Sequence, residues 1–217
     1  MWSYRGVEVH WLGHDSFVLK GSKTIAIDPF KTKSAHKADL LLISHEHSDH
    51  LSPDDIARFA TDSTVIVAPK ICEAPLSKVG GTKRWIAPGE TLDLMGVRIE
   101  AIPAYNLNKF REPGKVFHPK ADGRVGYVVT LDGVTFYHSG DSDATPEMKA
   151  LKVDVALLPV SGTYVMTAEE AAEAARAMDA KVVIPMHVNK GIGSMEDAKR
   201  FASLVGPARD ARILEEE

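Results

Sequence analysis

The stretch Leu40–His50 constrains the fold of this chain more than any other. It begins with four aliphatic residues, typical of a buried strand, and ends with three histidines and an aspartate within six positions. Alternation along the end of a strand brings His45 and His47 to one side, two residues apart. Asp49 and His50 follow where the chain turns, so they can face a neighbouring point. The stretch therefore predicts a buried strand whose end offers two pairs of ligands to two adjacent cations.

Three more residues of the kinds that bind metals follow at predicted strand ends. His118 precedes a proline, Asp141 follows Gly140, and His187 follows a proline-containing run. An imidazole supplies a neutral nitrogen ligand, and a carboxylate can bridge two cations and offset part of their charge. The single cysteine, Cys72, excludes an internal disulfide framework and favours a reducing compartment. A metal site here must therefore rest on histidines and carboxylates.

The order of the predicted elements favours an α/β (α+β) fold in which two sheets pack face to face, with helices outside. The predicted strands are Val7–Leu12, Ser16–Leu19, Thr24–Asp28, Asp39–Ser44, Val65–Ala68, Thr91–Leu94, Val97–Ile102, Gly126–Leu131, Val134–His138, Val153–Pro159 and Lys181–Met186. The predicted helices are Pro53–Ala60, one that begins at Thr167, and Ser194–Leu204. With no linker or repeat in the sequence, residues 1–217 are expected to form a single domain.

The order of the candidate ligands resembles that of the metallo-β-lactamase superfamily, and Ile27-Asp28-Pro29 resembles its first motif. The resemblance implies a four-layer αββα sandwich. It implies that the first metal is held by His45, His47 and His118, that the second is held by Asp49, His50 and His187, and that Asp141 bridges them. It also favours a role for Asp28 in orienting a ligand histidine through a hydrogen bond.

Four further motifs are similar to a branch of short, stand-alone metal-dependent hydrolases that includes relatives of the ascorbate-6-phosphate lactonase. They are Gly13-His14-Asp15-Ser16-Phe17, Ala104-Tyr105-Asn106, Tyr137-His138-Ser139-Gly140-Asp141 and Ile184-Pro185-Met186-His187. The expectation is therefore a hydrolase that cleaves an ester, lactone or phosphoester bond of a small anionic substrate.

The implied chemistry uses a hydroxide that bridges two divalent cations about 3.5–4 Å apart, since such a pair lowers the pKa of water toward about 7. Asp49 and Asp141 are the expected catalytic carboxylates. His14 and His138 are expected in proton transfer or substrate contact, with a purely structural role as an equal alternative for each. Nitrogen and carboxylate ligands without thiolate favour Zn²⁺ or Mn²⁺, and they also fit Fe²⁺ or Ni²⁺.

The segment from Tyr105 to Arg124 carries excess positive charge and leads into His118. It holds five Lys/Arg and two Asp/Glu, a net charge of 5 − 2 = +3, whereas the whole chain has a formal charge of −4. A basic loop beside the metals would attract an anionic substrate, and Lys109, Arg111 and Lys115 are the candidates. A solvated loop with incidental lysines is the equal alternative.

The remaining properties exclude some classes of function. The negative net charge disfavours a nucleic-acid partner, and no apolar run is long enough to span a membrane. With no signal peptide, a cytoplasmic location is expected, and a homo-oligomer is compatible with the sequence. The main alternative function is a phosphodiesterase or nuclease that acts on RNA or nucleotides. An iron oxidoreductase is disfavoured because His47 stands where the flavodiiron pattern has glutamate, and a non-catalytic scaffold because no ligand is missing.

Overall fold

The computed structural model describes residues 1–33 and 36–217, and its aliphatic runs form two seven-stranded sheets and a small hairpin. The strands are β1 (Trp2–Tyr4), β2 (Val7–Trp11), β3 (Phe17–Lys20), β4 (Thr24–Ile27), β5 (Leu40–Leu42), β6 (Val65–Ala68), β7 (Thr82–Trp85), β8 (Thr91–Leu94), β9 (Val97–Pro103), β10 (Phe110–Glu112), β11 (Lys115–Val116), β12 (Val125–Leu131), β13 (Val134–His138), β14 (Lys152–Pro159), β15 (Asp179–Met186) and β16 (Asp210–Ala211). The helices are α1 (Pro53–Phe59), α2 (Glu73–Leu76), α3 (Pro146–Lys149), α4 (Ala168–Ala177) and α5 (Met195–Val205). Short 3₁₀ turns cover Lys70–Cys72, Lys120–Asp122 and Gly206–Ala208.

Each large sheet changes from antiparallel to parallel pairing along its width. The first sheet has the order β1 to β7, antiparallel from β1 to β4 and parallel from β4 to β7. The second has the order β16-β15-β14-β13-β12-β9-β8, and its parallel part runs from β13 to β16. The parallel strands β5, β13 and β15 all end next to candidate ligands. In such sheets, ligands bind at the carboxyl ends of the strands.

Alternation within the strands sorts the core into layers. Leu40 and Leu42 of β5 lie in the large core that also contains both sheets' inner residues, whereas Leu41 packs with Ile56 and Phe59 of α1 on the outer face. Helices α4 and α5 pack against β15 of the second sheet. The expected αββα sandwich is confirmed, since sheets that are apolar on both faces need helices on their outer sides.

The predicted element boundaries hold best where the apolar pattern is clear. Val65–Ala68, Thr91–Leu94 and Val134–His138 match their predictions, and the capping box that begins α4 is present. The prediction Asp39–Ser44 is too long because the Ser44 amide leaves the ladder and donates to the Asp28 carboxylate (2.8 Å). Among the described residues, no helix is both long and apolar enough to cross a bilayer.

The predicted strands do not include three edge strands, β1, β7 and β16, or the hairpin β10–β11. Strand β7 alternates exposed and half-buried residues of mostly polar type, and β10 is exposed along its length. Such segments carry little of the apolar periodicity by which strands are recognised. The hairpin β10–β11 nevertheless matters, because it lies next to the candidate site.

Candidate metal centre

Seven of the eight side chains that could hold metal ions at the carboxyl ends of β5, β13 and β15 are buried. Their ligand atoms form two groups, each with its atoms within 4.8 Å of one another: His45, His47, His118 and Asp141 in the first, and His14, Asp15, His50 and His187 in the second. We call these the first and second clusters. The structure thus brings together six of the seven predicted ligands, from segments of both sheets. The seventh, Asp49, lies beside the second cluster.

Asp141 lies between the two clusters with one carboxylate oxygen directed at each. Its Oδ2 is 3.5 Å from Nε2 of His118 and 3.8 Å from Nε2 of His45. Its Oδ1 is 3.2 Å from Nε2 of His50 and 3.4 Å from Nε2 of His187. A carboxylate in this position fits a bridge between two cations.

Four of the histidines are oriented by a hydrogen bond on the Nδ1 side of the ring. The acceptors are Ser44 Oγ for His45 (2.9 Å), Asp28 Oδ2 for His50 (2.8 Å), Asn106 Oδ1 for His118 (2.9 Å) and Ser161 Oγ for His187 (2.8 Å). Each bond fixes the tautomer that leaves the Nε2 lone pair free, as is usual for metal-binding histidines. Asp28 therefore lies where the sequence analysis expected it. Asn106 and Ser161 were not singled out for this purpose.

Several of these atoms have no hydrogen-bond partner within residues 1–33 and 36–217. They are Nε2 of His45, His50 and His187 and Oδ1 of Asp141. Buried polar atoms without partners are costly, and native structures contain few of them. Cations bound at the two clusters would satisfy all four atoms, so the donor set fits divalent metals.

Unusual backbone conformations hold the site in place. His14, Asp28 and His187 have φ angles of 54°, 45° and 59°, a region that residues other than glycine rarely adopt. Gly140, which precedes the bridging Asp141, has a φ of 57°, and a Cβ atom there would come within 2.9 Å of the Val125 carbonyl oxygen. Glycine is needed at this position because the backbone passes so close to β12.

The two clusters differ in the protonation of their histidines. Burial, with the charge of His50, lowers the pKa of His45 well below its usual value, and burial lowers the pKa of His118 to about 4. Burial also acts to lower the pKa of His50 and His187, but the Asp141 carboxylate outweighs it and raises both. The histidines of the first cluster therefore bind protons less readily than His50 and His187 of the second cluster.

We expect metal binding at the two clusters to differ in its proton balance. Filling the second cluster should release protons and should become tighter as the pH rises through the raised pKa values of His50 and His187. Filling the first should depend little on pH well above 4, because His118 is already deprotonated. Calorimetric titrations in buffers of different ionisation enthalpy measure the protons released. Equal proton release for both ions would contradict the assignment.

Asp49 and His14 form a pair beside the second cluster. Nε2 of His14 donates to Oδ2 of Asp49 (3.2 Å), and the same oxygen is 3.9 Å from Nε2 of His50. Burial tends to raise the pKa of Asp49, but the hydrogen bond from His14 lowers it, so the carboxylate stays ionised. His14 is buried, with its ring 4.4 Å from that of His187. Its burial and its bond to Asp49 favour a role in orienting that carboxylate.

His138 does not join either cluster, and its hydrogen bonds favour the structural alternative over proton transfer or substrate contact. Its Nε2 donates to the backbone carbonyl of Asp15 (2.8 Å), and its Nδ1 accepts from the amide of Gly140 (3.2 Å). His10 is also buried and lies outside both clusters, and its Nδ1 is 2.9 Å from the Glu217 carboxylate.

An open cleft of about 220 Å³ leads to the first cluster. It is lined by His47, Asp49, Arg111, Phe117, His118, Asp141 and Tyr164. The Arg111 guanidinium, on the hairpin β10–β11, stacks over the Phe117 ring, which meets Tyr164 edge-on at 4.7 Å. Among the described residues, no carboxylate forms an ion pair with Arg111.

The other basic side chains of the segment are paired. Lys109 binds Glu170 at 2.6 Å, Lys115 binds Glu112 at 2.9 Å, Lys120 binds Glu147 at 2.6 Å, and Arg124 binds Glu46 and Asp122. Of the three candidates for attracting an anion, Lys109 and Lys115 already have acidic partners. Arg111 is therefore the candidate that remains.

Comparisons with known proteins show which family and fold the chain has. A family model described as a β-lactamase superfamily domain matches residues 8–187. The chain is 33% identical to a UPF0173 metal-dependent hydrolase of Pelotomaculum thermopropionicum, over 95% of each chain. It is similar to the crystal structure of a protein from Parabacteroides distasonis (32% identity, TM-score 0.83, 97% and 94% of the two chains). It is also similar to Igni18, a metallo hydrolase from Ignicoccus hospitalis (25% identity, TM-score 0.76, 96% and 95%).

Proposed function

Since the chain belongs to the metallo-β-lactamase superfamily and is a metal-dependent hydrolase, we propose that it binds two divalent cations and cleaves an ester, lactone or phosphoester bond of a small anionic substrate. The observation that carries the proposal is the position of Asp141, whose two oxygens face the two clusters at 3.2–3.8 Å. The donor set of histidines and carboxylates favours Zn²⁺ or Mn²⁺. The single, buried Cys72 supports a cytoplasmic location.

The residues of the site have different roles in the proposed reaction. When bound, the two cations would supply an acidified water as nucleophile and a Lewis acid for the substrate oxygen. Asp141 lies between the clusters and offsets positive charge. Asp49, ionised and lining the cleft, is placed to orient the attacking water by accepting a hydrogen bond from it, while His14 keeps that carboxylate in position.

The cleft supports a small anion as substrate. Its volume of about 220 Å³ lies below the roughly 300–1,000 Å³ of pockets for drug-sized ligands. Arg111 lines the cleft and forms no ion pair within the described part of the chain, and a guanidinium binds carboxylate or phosphate in a bidentate manner. A long RNA strand would need a more extended basic surface. The small substrate is therefore favoured over the nuclease alternative.

Kinetics on matched substrates test this function. With Mn²⁺- or Zn²⁺-loaded protein, a panel of lactones, esters and phosphoesters should show turnover, with lower KM for anionic members than for neutral ones of the same shape. Arg111→Gln should raise KM for the anionic members about tenfold, the equivalent of roughly 1.5 kcal/mol for one charge-assisted hydrogen bond.

Lys115→Gln is the matched control, because it removes the same charge from the same hairpin outside the cleft. It should leave KM unchanged. Equal effects of the two variants would show that the hairpin acts only through its overall charge. Cleavage of single-stranded RNA in preference to every small substrate would replace the proposed function with the nuclease alternative.

A further inference from the structure

Asp15 is a buried carboxylate that the ligand series of the family resemblance does not use. Its side chain is 0% exposed, and within the described part of the chain neither carboxylate oxygen has a hydrogen-bond partner. An isolated buried carboxylate is among the most costly groups in a protein interior unless it is paired or coordinates a metal. The position of Asp15 therefore requires an explanation.

The surroundings of Asp15 match those of a metal ligand. Its Oδ2 is 3.4 Å from Nε2 of His50 and 3.9 Å from Nε2 of His187. The same two nitrogens lie 3.2 Å and 3.4 Å from Oδ1 of Asp141. Ligand atoms about 2.0–2.2 Å from a tetrahedral cation are separated by roughly 3.3–3.6 Å. Two histidines and two carboxylates thus outline a four-ligand site.

Asp49, the carboxylate that the resemblance assigns to this cation, is less well placed. Its Oδ2 is 3.9 Å from Nε2 of His50 and already accepts a hydrogen bond from His14. Asp49 also lines the cleft, whereas Asp15 is enclosed. The two carboxylates therefore have different environments, and Asp15 has the one typical of a structural ligand.

The backbone around Asp15 is held in a way that directs its side chain inward. His14 adopts a φ of 54°, and the carbonyl of Asp15 accepts the hydrogen bond from Nε2 of His138 at 2.8 Å. The strained backbone of His14 and the hydrogen bond from His138 both fix this loop. The orientation of Asp15 is therefore maintained at a cost in backbone strain. This also gives His138 a purpose that the catalytic site does not provide.

We propose that Asp15 is a direct ligand of the cation that His50 and His187 would hold. The proposal rests on the proposed dinuclear function. With Asp15 as a ligand, the cation of the second cluster would have one carboxylate of its own and would share that of Asp141 with the first cluster. Oxygen-rich sites suit harder cations, so this cluster should prefer Mn²⁺ over Zn²⁺ more than the first cluster does.

Metal titrations of three proteins test this ligand: the wild type, Asp15→Asn and Asp49→Asn. Elemental analysis after loading with Mn²⁺ and removal of free metal gives the number of tightly bound ions, and calorimetry gives each affinity. We expect two ions in the wild type and one in Asp15→Asn. The second ion of that variant should bind more than tenfold more weakly, a loss that even a residue touching a ligand typically produces. Asp49→Asn should keep both ions.

A second variant, Asp15→Ser, and measurements on metal-free protein test whether a loss of metal results from misfolding. Circular dichroism and thermal unfolding of the chelated proteins should be alike for the wild type, Asp15→Asn and Asp15→Ser. Electron paramagnetic resonance of the Mn²⁺-loaded proteins should show a spin-coupled pair in the wild type and an isolated ion in both Asp15 variants.

The possible outcomes distinguish the role of Asp15 as a ligand from the dinuclear function. Two tightly bound ions in both Asp15 variants would overturn Asp15 as a ligand and leave the proposed function intact. Loss of the second ion in Asp49→Asn alone would assign the ligand to Asp49 instead. Fewer than two ions in the wild type would overturn the dinuclear function and the role of Asp15 with it.

Discussion

Replacing Asp141 with alanine should leave at most one tightly bound cation and lower kcat/KM about a thousandfold. Both clusters lose a ligand in this variant, because each Asp141 oxygen lies 3.2–3.8 Å from two histidine nitrogens. The metals' contribution to stabilising the transition state amounts to several kcal/mol, and about 4 kcal/mol corresponds to a thousandfold change in rate. Elemental analysis and steady-state kinetics measure the two effects.

Asp132→Asn is a suitable control for this change. That aspartate is exposed and binds Ser22, away from both clusters. It should retain the metal content and activity of the wild type. An Asp141→Ala protein that still bound two cations with unchanged affinity would remove the bridging role, on which the dinuclear proposal depends.

Removal of the Asp28 carboxylate should produce the second largest effect although this residue touches no cation. Its two oxygens accept hydrogen bonds from the Ser44 amide (2.8 Å), the Ser44 hydroxyl (2.5 Å) and Nδ1 of His50 (2.8 Å). Partners of this kind typically contribute 10–100-fold to metal affinity or activity. Asp28→Ala should lose about that much, and it should also unfold at a lower temperature because buried donors lose their acceptors, at about 1–3 kcal/mol each.

Asp28→Asn separates the two effects. The amide oxygen can still accept from the Ser44 amide, so thermal stability should fall less than in Asp28→Ala. Metal affinity should still fall, since an uncharged acceptor binds the Nδ1 proton of His50 more weakly. If both variants bound metal as tightly as the wild type, His50 would not depend on Asp28 for its orientation.

The assignment of His118, Asp141 and His187 as ligands depends on the family resemblance, because these residues lie far apart in the sequence. The candidate ligands of the stretch Leu40–His50 could be predicted because their physical signal is local. An aliphatic run followed by alternating histidines, as in Leu40–His50, carries both the strand and its chemistry in one stretch. The same holds for the two-sheet architecture, which follows from the apolar patterns of the inner strands.

The roles of His138, Asp15 and the basic segment needed the structure. His138 lies at the end of a strand, as several candidate ligands do. Both nitrogens of its ring, however, bond backbone groups, the carbonyl of Asp15 and the amide of Gly140. The direction of Asp15 depends on the left-handed backbone of His14, which a sequence pattern does not reveal. Likewise the lysines of the hairpin are neutralised by partners such as Glu170. Pairing of this kind is a property of tertiary structure.

The ligands come from loops of both sheets, and this affects the order in which the molecule can assemble. His45 and His50 follow β5 of the first sheet, whereas Asp141 and His187 follow β13 and β15 of the second. An unfolded chain therefore holds no complete site, and the entropy of closing such long loops is overcome by the apolar core rather than by metal. Metal bound at this site would therefore add to the core after it has formed, and it would join the two sheets at one end.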